Sequence, residues 1–297
     1  MLQDWIYNPF KISEVRMKFG FVMPFGEARD DAELARQAEQ AGWDGFFVWE
    51  PVWGVDAWVC LTAAAMVTER IRLGTMLTPL SRMRPWKLAS ETAALDRLSG
   101  GRVILAVGLG APDTGFAEFG EQTDRKVRAQ LLDEGLEILT GLWRGQPFSF
   151  DGLHYHVRPT QFNPPPPPLQ QPRIPIWVVG AWPSHKSLGR AARYDGLLPQ
   201  AFRTGADGQR TPVQASPEDC RQMLAWVRAQ RGEGPYDLVV EGETPGSQPE
   251  AERAQLRPWV EAGATWWMES RWMAPHTQEG MAAIRARIAQ GPPCAGE

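Results

Sequence analysis

The sequence predicts a single (β/α)₈ barrel, and three observations support this fold. Short apolar runs alternate with longer amphipathic stretches about eight times along the chain. The units extend over roughly 270 residues, close to the ~250 residues typical of such barrels. The apolar runs show no polar face, as expected for parallel strands buried on both sides. A doubly wound open sheet is the alternative fold. Its common order has six strands, two fewer than the eight predicted here.

The first half of the chain contains four predicted units. The first helix is predicted to start at Asp31 with a capping box, in which Asp30 is the N-cap and Glu33 follows three residues later. Gly42 stands where a left-handed residue often ends a helix. The four strands are Lys18–Pro24, Gly45–Trp49, Ile71–Leu77 and Val103–Val107, and the later helices are Trp58–Thr68, Pro85–Leu98 and Arg125–Leu142.

An irregular segment, residues 143–173, separates the fourth helix from the fifth strand. It contains a predicted hairpin with Asp151-Gly152 at its turn and a polyproline II run over Pro164–Pro168. Long insertions without a repeat are often functional. We therefore expect this segment to fold over the barrel mouth as a partial lid.

The second half of the chain returns to the alternating pattern. Ser216 followed by Pro217 and two acids is a strong helix start, because the serine caps the helix and the acids face its positive end. The predicted strands are Ile176–Val179, Gly196–Leu198, Leu238–Glu241 and Thr265–Met268, and the helices are Ser184–Arg193, one starting at Ser216, Pro249–Gly263 and Gln278–Ala289.

Net charge and the distribution of apolar residues limit the partners and the location expected for this protein. The formal net charge of −4 argues against nucleic acid or an anionic membrane as the main partner. No apolar run reaches the ~20 residues that a membrane helix needs. The N-terminus lacks the apolar run of a signal peptide, so we expect a cytoplasmic protein. Residues 1–16 are interpreted as an N-terminal extension and residues 17–297 as the barrel domain.

Several segments in order resemble the luciferase-like monooxygenase family. They are LGTMLTPL, RPWKLASETAALDRLSGGRVILAVGLG, LLDEGLEILTGLWRGQPFSFDGLHYHV and RIPIWVVG. The resemblance implies a barrel that holds FMN or the deazaflavin coenzyme F420 at the carboxyl ends of its strands. It also implies an oxidoreductase, in the narrower expectation a monooxygenase, that acts on a small organic substrate with reduced flavin or deazaflavin, and a possible homodimer.

The resemblance assigns cofactor contacts at strand ends. A bulge with a non-prolyl cis peptide is expected at Thr75-Met76 or Met76-Leu77, behind the cofactor ring. Glycine lets the backbone come close to a ligand, and the N-terminus of a helix favours a phosphate group. A tight turn is an equally good explanation for a lone G-x-G motif. The remaining expected contacts are Trp49, Gly108, Leu109, Gly110, Gly180, Ala181, Trp182 and Ser184.

Two acids that end apolar strands, Glu50 and Glu269, are the catalytic candidates. A buried unpaired carboxylate is costly, so each should reach a polar mouth or pair with a cation; for Glu50 we name Arg84. Relatives commonly have a histidine after this acid, whereas this chain has Pro51, so the residue that acts as base is in question. Each acid has a structural ion pair as its alternative explanation.

Aromatic residues at strand ends suggest a flat pocket for substrate. Phe25, Trp53 and Trp272 are the substrate candidates, and core packing is the alternative for each. His154 and His156 lack further ligands at suitable spacing, so no metal site is expected.

Two other functions remain open. A non-catalytic flavin-binding protein on the same fold is compatible with the missing histidine. A phosphate-binding isomerase or aldolase ranks lower, because the strand ends offer no lysine.

Overall fold

Eight parallel strands close into a barrel in the computed structural model, which describes residues 16–145, 147–160, 164–205 and 208–293. The strand order around the barrel is β10-β11-β1-β2-β3-β4-β7-β8, and pairing of β8 with β10 closes it. The predicted barrel is therefore confirmed. The strands are β1 Lys18–Met23, β2 Gly45–Val48, β3 Arg72–Pro79, β4 Val103–Gly108, β5 Phe148–Asp151, β6 His156–Thr160, β7 Ile176–Trp182, β8 Gly196–Thr204, β9 Arg210–Gln214, β10 Asp237–Gly242 and β11 Trp266–Ser270.

Eight α-helices cover the outside of the barrel in the described ranges. Their bounds are α1 Ala28–Ala41, α2 Ala57–Met66, α3 Pro85–Leu98, α4 Arg125–Arg144, α5 His185–Ala191, α6 Pro217–Arg231, α7 Pro249–Glu261 and α8 Gln278–Ala289. No helix in these ranges has the length and apolar character to cross a membrane.

The cap predictions had mixed outcomes. The capping box at Ser216 is present, because Ser216 and Asp219 bond reciprocally to each other's backbone N–H. The capping box predicted at Asp30 is wrong. The first helix begins at Ala28, and the Glu33 carboxylate instead accepts hydrogen bonds from Arg36 and Gln37 within the helix. Gly42 ends that helix with φ of 92°, as predicted.

One strand pair was missed in the sequence. We predicted a sixth strand that ends at Leu198, but β8 continues to Thr204 and turns back antiparallel as β9. The sequence after Leu198 begins with proline and becomes polar, so it lacks the apolar pattern of a barrel strand. This extension carries β8 beyond the rim of the barrel, on the side where the cavity described below lies.

The insertion contains the predicted hairpin, β5 and β6. The Glu134 carboxylate of α4 accepts backbone N–H groups from Leu153, His154 and Tyr155 in its turn. The Tyr155 ring packs edge-on against Trp86 of α3. These contacts fasten the hairpin to α3 and α4. None of its described residues lines the cavity described below, and the partial lid stays a prediction. Residues 161–163 lie outside the described residues.

Aromatic side chains fill the barrel interior toward the amino-terminal ends of its strands. Trp177 and Trp266 pack with ring centroids 5.2 Å apart, and Phe47 stacks on Trp177 at 5.5 Å. All three side chains are almost fully buried. These rings fill the centre of the barrel on the amino-terminal side of the cavity described below.

Candidate active site

A cavity of about 530 Å³ opens at the carboxyl ends of the barrel strands. Its floor and walls are mostly apolar, with a few amide, hydroxyl and carboxylate groups at the rim. The lining residues are Met76 and Leu77 of β3, Val179 of β7, Leu198, Pro199 and Gln200 of β8, Gln214 of β9, Ala215, Val239 to Gly242 of β10, Glu243, Trp259, Ser270, Trp272 and Met273.

The cavity exists because β8 and β10 separate at the barrel seam. These strands pair at only two positions, Asp237 with Gly196 and Leu238 with Leu197. The residues that follow on both strands line the cavity. Gln214 of β9 spans part of the gap, since its side-chain amide donates to the Glu241 carbonyl oxygen at 2.7 Å.

The expected bulge in β3 is present. The pairing of β3 with β4 shifts register between Thr75 and Thr78, and the peptide bond Met76-Leu77 is cis. Of the two positions proposed from the sequence, the second is therefore the one observed. Met76 and Leu77 both face the cavity, across the barrel from β10.

Glu50 lies buried behind this bulge and is absent from the cavity lining. Its Oε2 accepts a hydrogen bond from Thr78 Oγ1 at 2.5 Å, and Thr78 in turn contacts Thr75 Oγ1 at 2.7 Å. Burial raises the pKa of the Glu50 carboxyl to about 7, opposed by the Thr78 hydrogen bond and the charge of Arg82.

The cation near Glu50 is Arg82, and the expected pairing with Arg84 is wrong. The Arg82 guanidinium lies 3.8 Å from Glu50 Oε1 and also donates to the carbonyl oxygens of Glu50 and Pro51. Arg84 instead lies over the Trp86 ring. The sequence interval did not distinguish the two arginines, because a short 3₁₀ turn, Leu80–Arg82, follows the bulge and directs Arg82 toward Glu50.

Glu269 is fully buried in an ion-paired network below the rim. Its carboxylate accepts the backbone N–H and the hydroxyl of Thr244, and it lies 3.3 Å from Arg271 and 3.2 Å from Arg287. It does not line the cavity. The surroundings of Glu269 therefore agree with a structural ion pair, the alternative explanation considered from the sequence.

Two of the glycines expected to approach a phosphate also have a packing role. A Cβ at Gly180 would lie 2.3 Å from Leu197 Cδ1 and 2.9 Å from Leu188 Cδ2, so this glycine permits close contact between strand and helix. A Cβ at Gly108 would lie 2.9 Å from Val179 and 3.2 Å from Leu77. Packing alone therefore accounts for a glycine at position 180, and its contact with a phosphate stays a prediction.

The other expected phosphate contacts lie near the mouth but outside the cavity lining. The carbonyl oxygens of Leu109 and Gly110 accept hydrogen bonds from Arg128. The Ala181 N–H donates to Ser187 Oγ, and the Ser184 side chain caps the short helix α5.

The predicted aromatic pocket is only partly assembled. Trp272 lines the cavity, joined by Trp259 of α7. Trp53 is 82% exposed and stacks on Phe119 away from the cavity. The other aromatic candidates, Phe25, Trp49 and Trp182, are half-buried at strand ends outside the lining, where Phe25 contacts His276 and Trp182 contacts His185.

Glu241 is a cavity residue that the sequence reasoning missed. It ends the apolar run of β10, so the argument used for Glu50 applied to it as well. Its Oε2 accepts a hydrogen bond from the Trp272 indole at 3.3 Å. Partial desolvation by the cavity walls raises the pKa of the Glu241 carboxyl, against hydrogen bonds from Trp272 and Ser270. The residue nevertheless stays accessible to solvent through the open cavity.

The cavity fits a flavin or deazaflavin ring. Its volume lies within the ~300–1,000 Å³ common for ligand sites. Apolar walls with a few polar groups at the rim suit a flat ring that carries carbonyl and N–H edges. In the described ranges no three His, Cys, Asp or Glu side chains are grouped to hold a metal ion.

Residues 17–281 match the sequence model of the family described as luciferase-like monooxygenase, and the chain belongs to that family. It is 32% identical over 199 residues to a putative coenzyme F420-dependent oxidoreductase of Mycobacterium tuberculosis, covering 63% of this chain and 56% of the relative. It is also 32% identical over 181 residues to the F420-dependent glucose-6-phosphate dehydrogenase of Amycolatopsis mediterranei, covering 57% and 53%. These alignments span little more than half of the curated relatives.

The fold is shared with solved structures. The coenzyme F420-dependent tetrahydromethanopterin reductase of Methanopyrus kandleri superposes with a TM-score of 0.72 at 16% identity, covering 92% of this chain and 98% of that one. At this identity the similarity concerns the barrel architecture alone.

Proposed function

We propose that this chain is an oxidoreductase that binds coenzyme F420 or FMN in the mouth cavity and uses it on a small organic substrate. The observation that carries the proposal is the β3 bulge, whose Met76 and Leu77 form one wall of an apolar cavity at the strand ends. Family membership and the F420-dependent relatives support the same conclusion.

The cavity residues divide into two groups. Met76, Leu77, Val179 and Leu198 would hold the apolar ring, and the polar rim at Glu241, with its neighbours on β8 and β11, would orient the substrate. When bound, the cofactor supplies hydride or oxygen chemistry that side chains lack. The packed rings of Phe47, Trp177 and Trp266 would form the base of the site on the amino-terminal side.

Coenzyme F420 is the first choice of cofactor, because the relatives reported above are described as F420-dependent or putatively so. A monooxygenase reaction is the second candidate and is favoured by the family description. Anaerobic oxidation of reduced F420 by an acceptor would support the first. Oxygen consumption that depends on reduced FMN and a substrate would support the second. Binding of either cofactor without turnover of any acceptor would leave a non-catalytic binding protein.

Cofactor binding to purified protein tests the proposal directly. Leu198 is buried in the cavity wall, so Leu198→Trp should fill the ring space and weaken binding of F420 or FMN by about tenfold or more. Leu153→Trp, at an exposed position on the outer hairpin, is the matched control. Fluorescence titration measures both. Failure of wild type to bind either cofactor, or unchanged affinity in a folded Leu198→Trp protein, would contradict the proposal.

We also propose a homodimer. Val59 and Met66 of α2 and the adjacent Val67 expose apolar side chains on the outer surface. Light scattering coupled to size exclusion measures the mass, and a concentration-independent monomer of 33.2 kDa would refute this assembly.

A further inference from the structure

The charged side chains that line the mouth cavity are all negative. Among the described residues that line it are two glutamates, Glu241 and Glu243, and no lysine, arginine or histidine. Such a lining disfavours a substrate whose phosphate or carboxylate would lie beside these two glutamates, because that anion would meet like charge without a compensating cation.

The two glutamates differ in their partners. Glu243 Oε2 lies 3.7 Å from the Arg271 guanidinium, which also contacts Glu269. Glu241 has two neutral side-chain partners, the Trp272 indole and Ser270, and no cation within 4.0 Å of its carboxylate in the part of the chain described here. Glu241 therefore presents the uncompensated negative charge to the cavity.

Aromatic groups surround the same position. Trp272 and Trp259 both line the cavity, and the Trp272 indole N–H bonds to Glu241. Indole faces attract cations. An uncompensated carboxylate next to indole rings is the usual chemistry of a site for an organic ammonium group.

We propose that the substrate is a small apolar molecule with a protonated amine, and that the Glu241 carboxylate binds this amine beside Trp272. The proposal rests on the proposed function, since it assigns the substrate class of the same cavity. The β3 wall with Met76 and Leu77 lies on the opposite side of the barrel, so the amine end and the apolar wall are separate parts of the cavity.

Three matched probes test the charge preference: 2-phenylethylammonium, the neutral 2-phenylethanol and the anionic phenylacetate. Their affinities for the whole protein are measured by calorimetry, with and without bound cofactor. We expect the cation to bind about tenfold or more tighter than the alcohol, and the anion most weakly. Equal affinities, or tighter binding of the anion, would overturn the proposal.

Two variants test whether the Glu241 carboxylate causes the preference for the cation. Glu241→Gln keeps the shape of the side chain and should remove the advantage of the cation. Glu250→Gln, at an exposed position in the first turn of α7, changes the net charge equally and should retain it. A folded Glu241→Gln protein that still prefers the cation would refute the assignment to this carboxylate.

Titration with F420 and FMN distinguishes this proposal from the proposed function. Binding of a cofactor without a cation preference would refute the amine site alone. A cation preference without binding of either cofactor would refute the oxidoreductase function while the amine site stands.

Discussion

The Glu50 carboxyl should make the stability of the protein depend on pH. Glu50 is 7% exposed, and burial raises its pKa from the ordinary 4.5 to about 7. Between these values the folded chain still holds a proton that the unfolded chain has released. The free energy of unfolding due to Glu50 therefore falls as pH rises from about 4.5 to about 7 and is constant above that.

The magnitude follows from the size of the pKa change. A rise from 4.5 to about 7, at about 1.4 kcal/mol per pH unit, corresponds to about 3 kcal/mol. Glu50→Gln removes the titration while its amide oxygen can still accept the Thr78 hydroxyl. The stability of the variant minus that of the wild type should therefore increase by up to about 3 kcal/mol between pH 4.5 and 7.

Urea unfolding of both proteins at several pH values between 4.5 and 8 measures this difference. Subtraction removes the contribution of other groups, among them Asp31, whose pKa burial raises to about 6. Glu279→Gln, at an exposed position in the first turn of α8, reports the effect of losing one surface carboxylate. Parallel stability profiles for Glu50→Gln and wild type would refute the argument that Glu50 remains protonated near neutral pH.

Three further changes have outcomes set by packing. Gly180→Val should destabilise the fold by about 1–3 kcal/mol, measured by thermal unfolding, because its side chain would collide with Leu197; an unchanged melting temperature would contradict this. Glu269→Ala should cost about 3–5 kcal/mol in urea unfolding, since it removes the carboxylate that forms an ion pair with buried Arg287; a loss below 1 kcal/mol would count against the network. Ser216→Ala should cost about 1 kcal/mol by the same assay, through loss of the helix cap, and Ser216→Asp should restore most of it.

Local signals predicted most of the barrel. The alternation of apolar runs and amphipathic stretches located every barrel strand, and Ser216 with its following residues marked a helix start. These features depend on neighbours within a few positions, which the sequence shows directly. The Asp30 box failed because a compatible spacing does not determine which partner Glu33 takes when Arg36 is also in reach.

The candidate site was harder to predict because it depends on contacts between distant segments. A glycine at position 180 can leave room for a ligand or for neighbouring leucine side chains. The packing of α5 decides between these, and the sequence around Gly180 does not show that packing. Glu50 and Glu241 follow similar apolar strands, yet one lies behind the bulge and the other in the cavity. The bulge in β3 and the early separation of β8 from β10 produce that difference.

The seam between β8 and β10 has a consequence for local opening of the barrel. After Leu197 and Leu238 these strands share no ladder, and from Gln200 onward β8 pairs with β9 instead. The β10 amides that face the gap therefore lack the protection that pairing gives. Hydrogen exchange should therefore be fastest here among the barrel strands. A molecule that fills the gap would connect the two strands where they do not pair. Its binding should slow that exchange and raise the melting temperature as its occupancy increases.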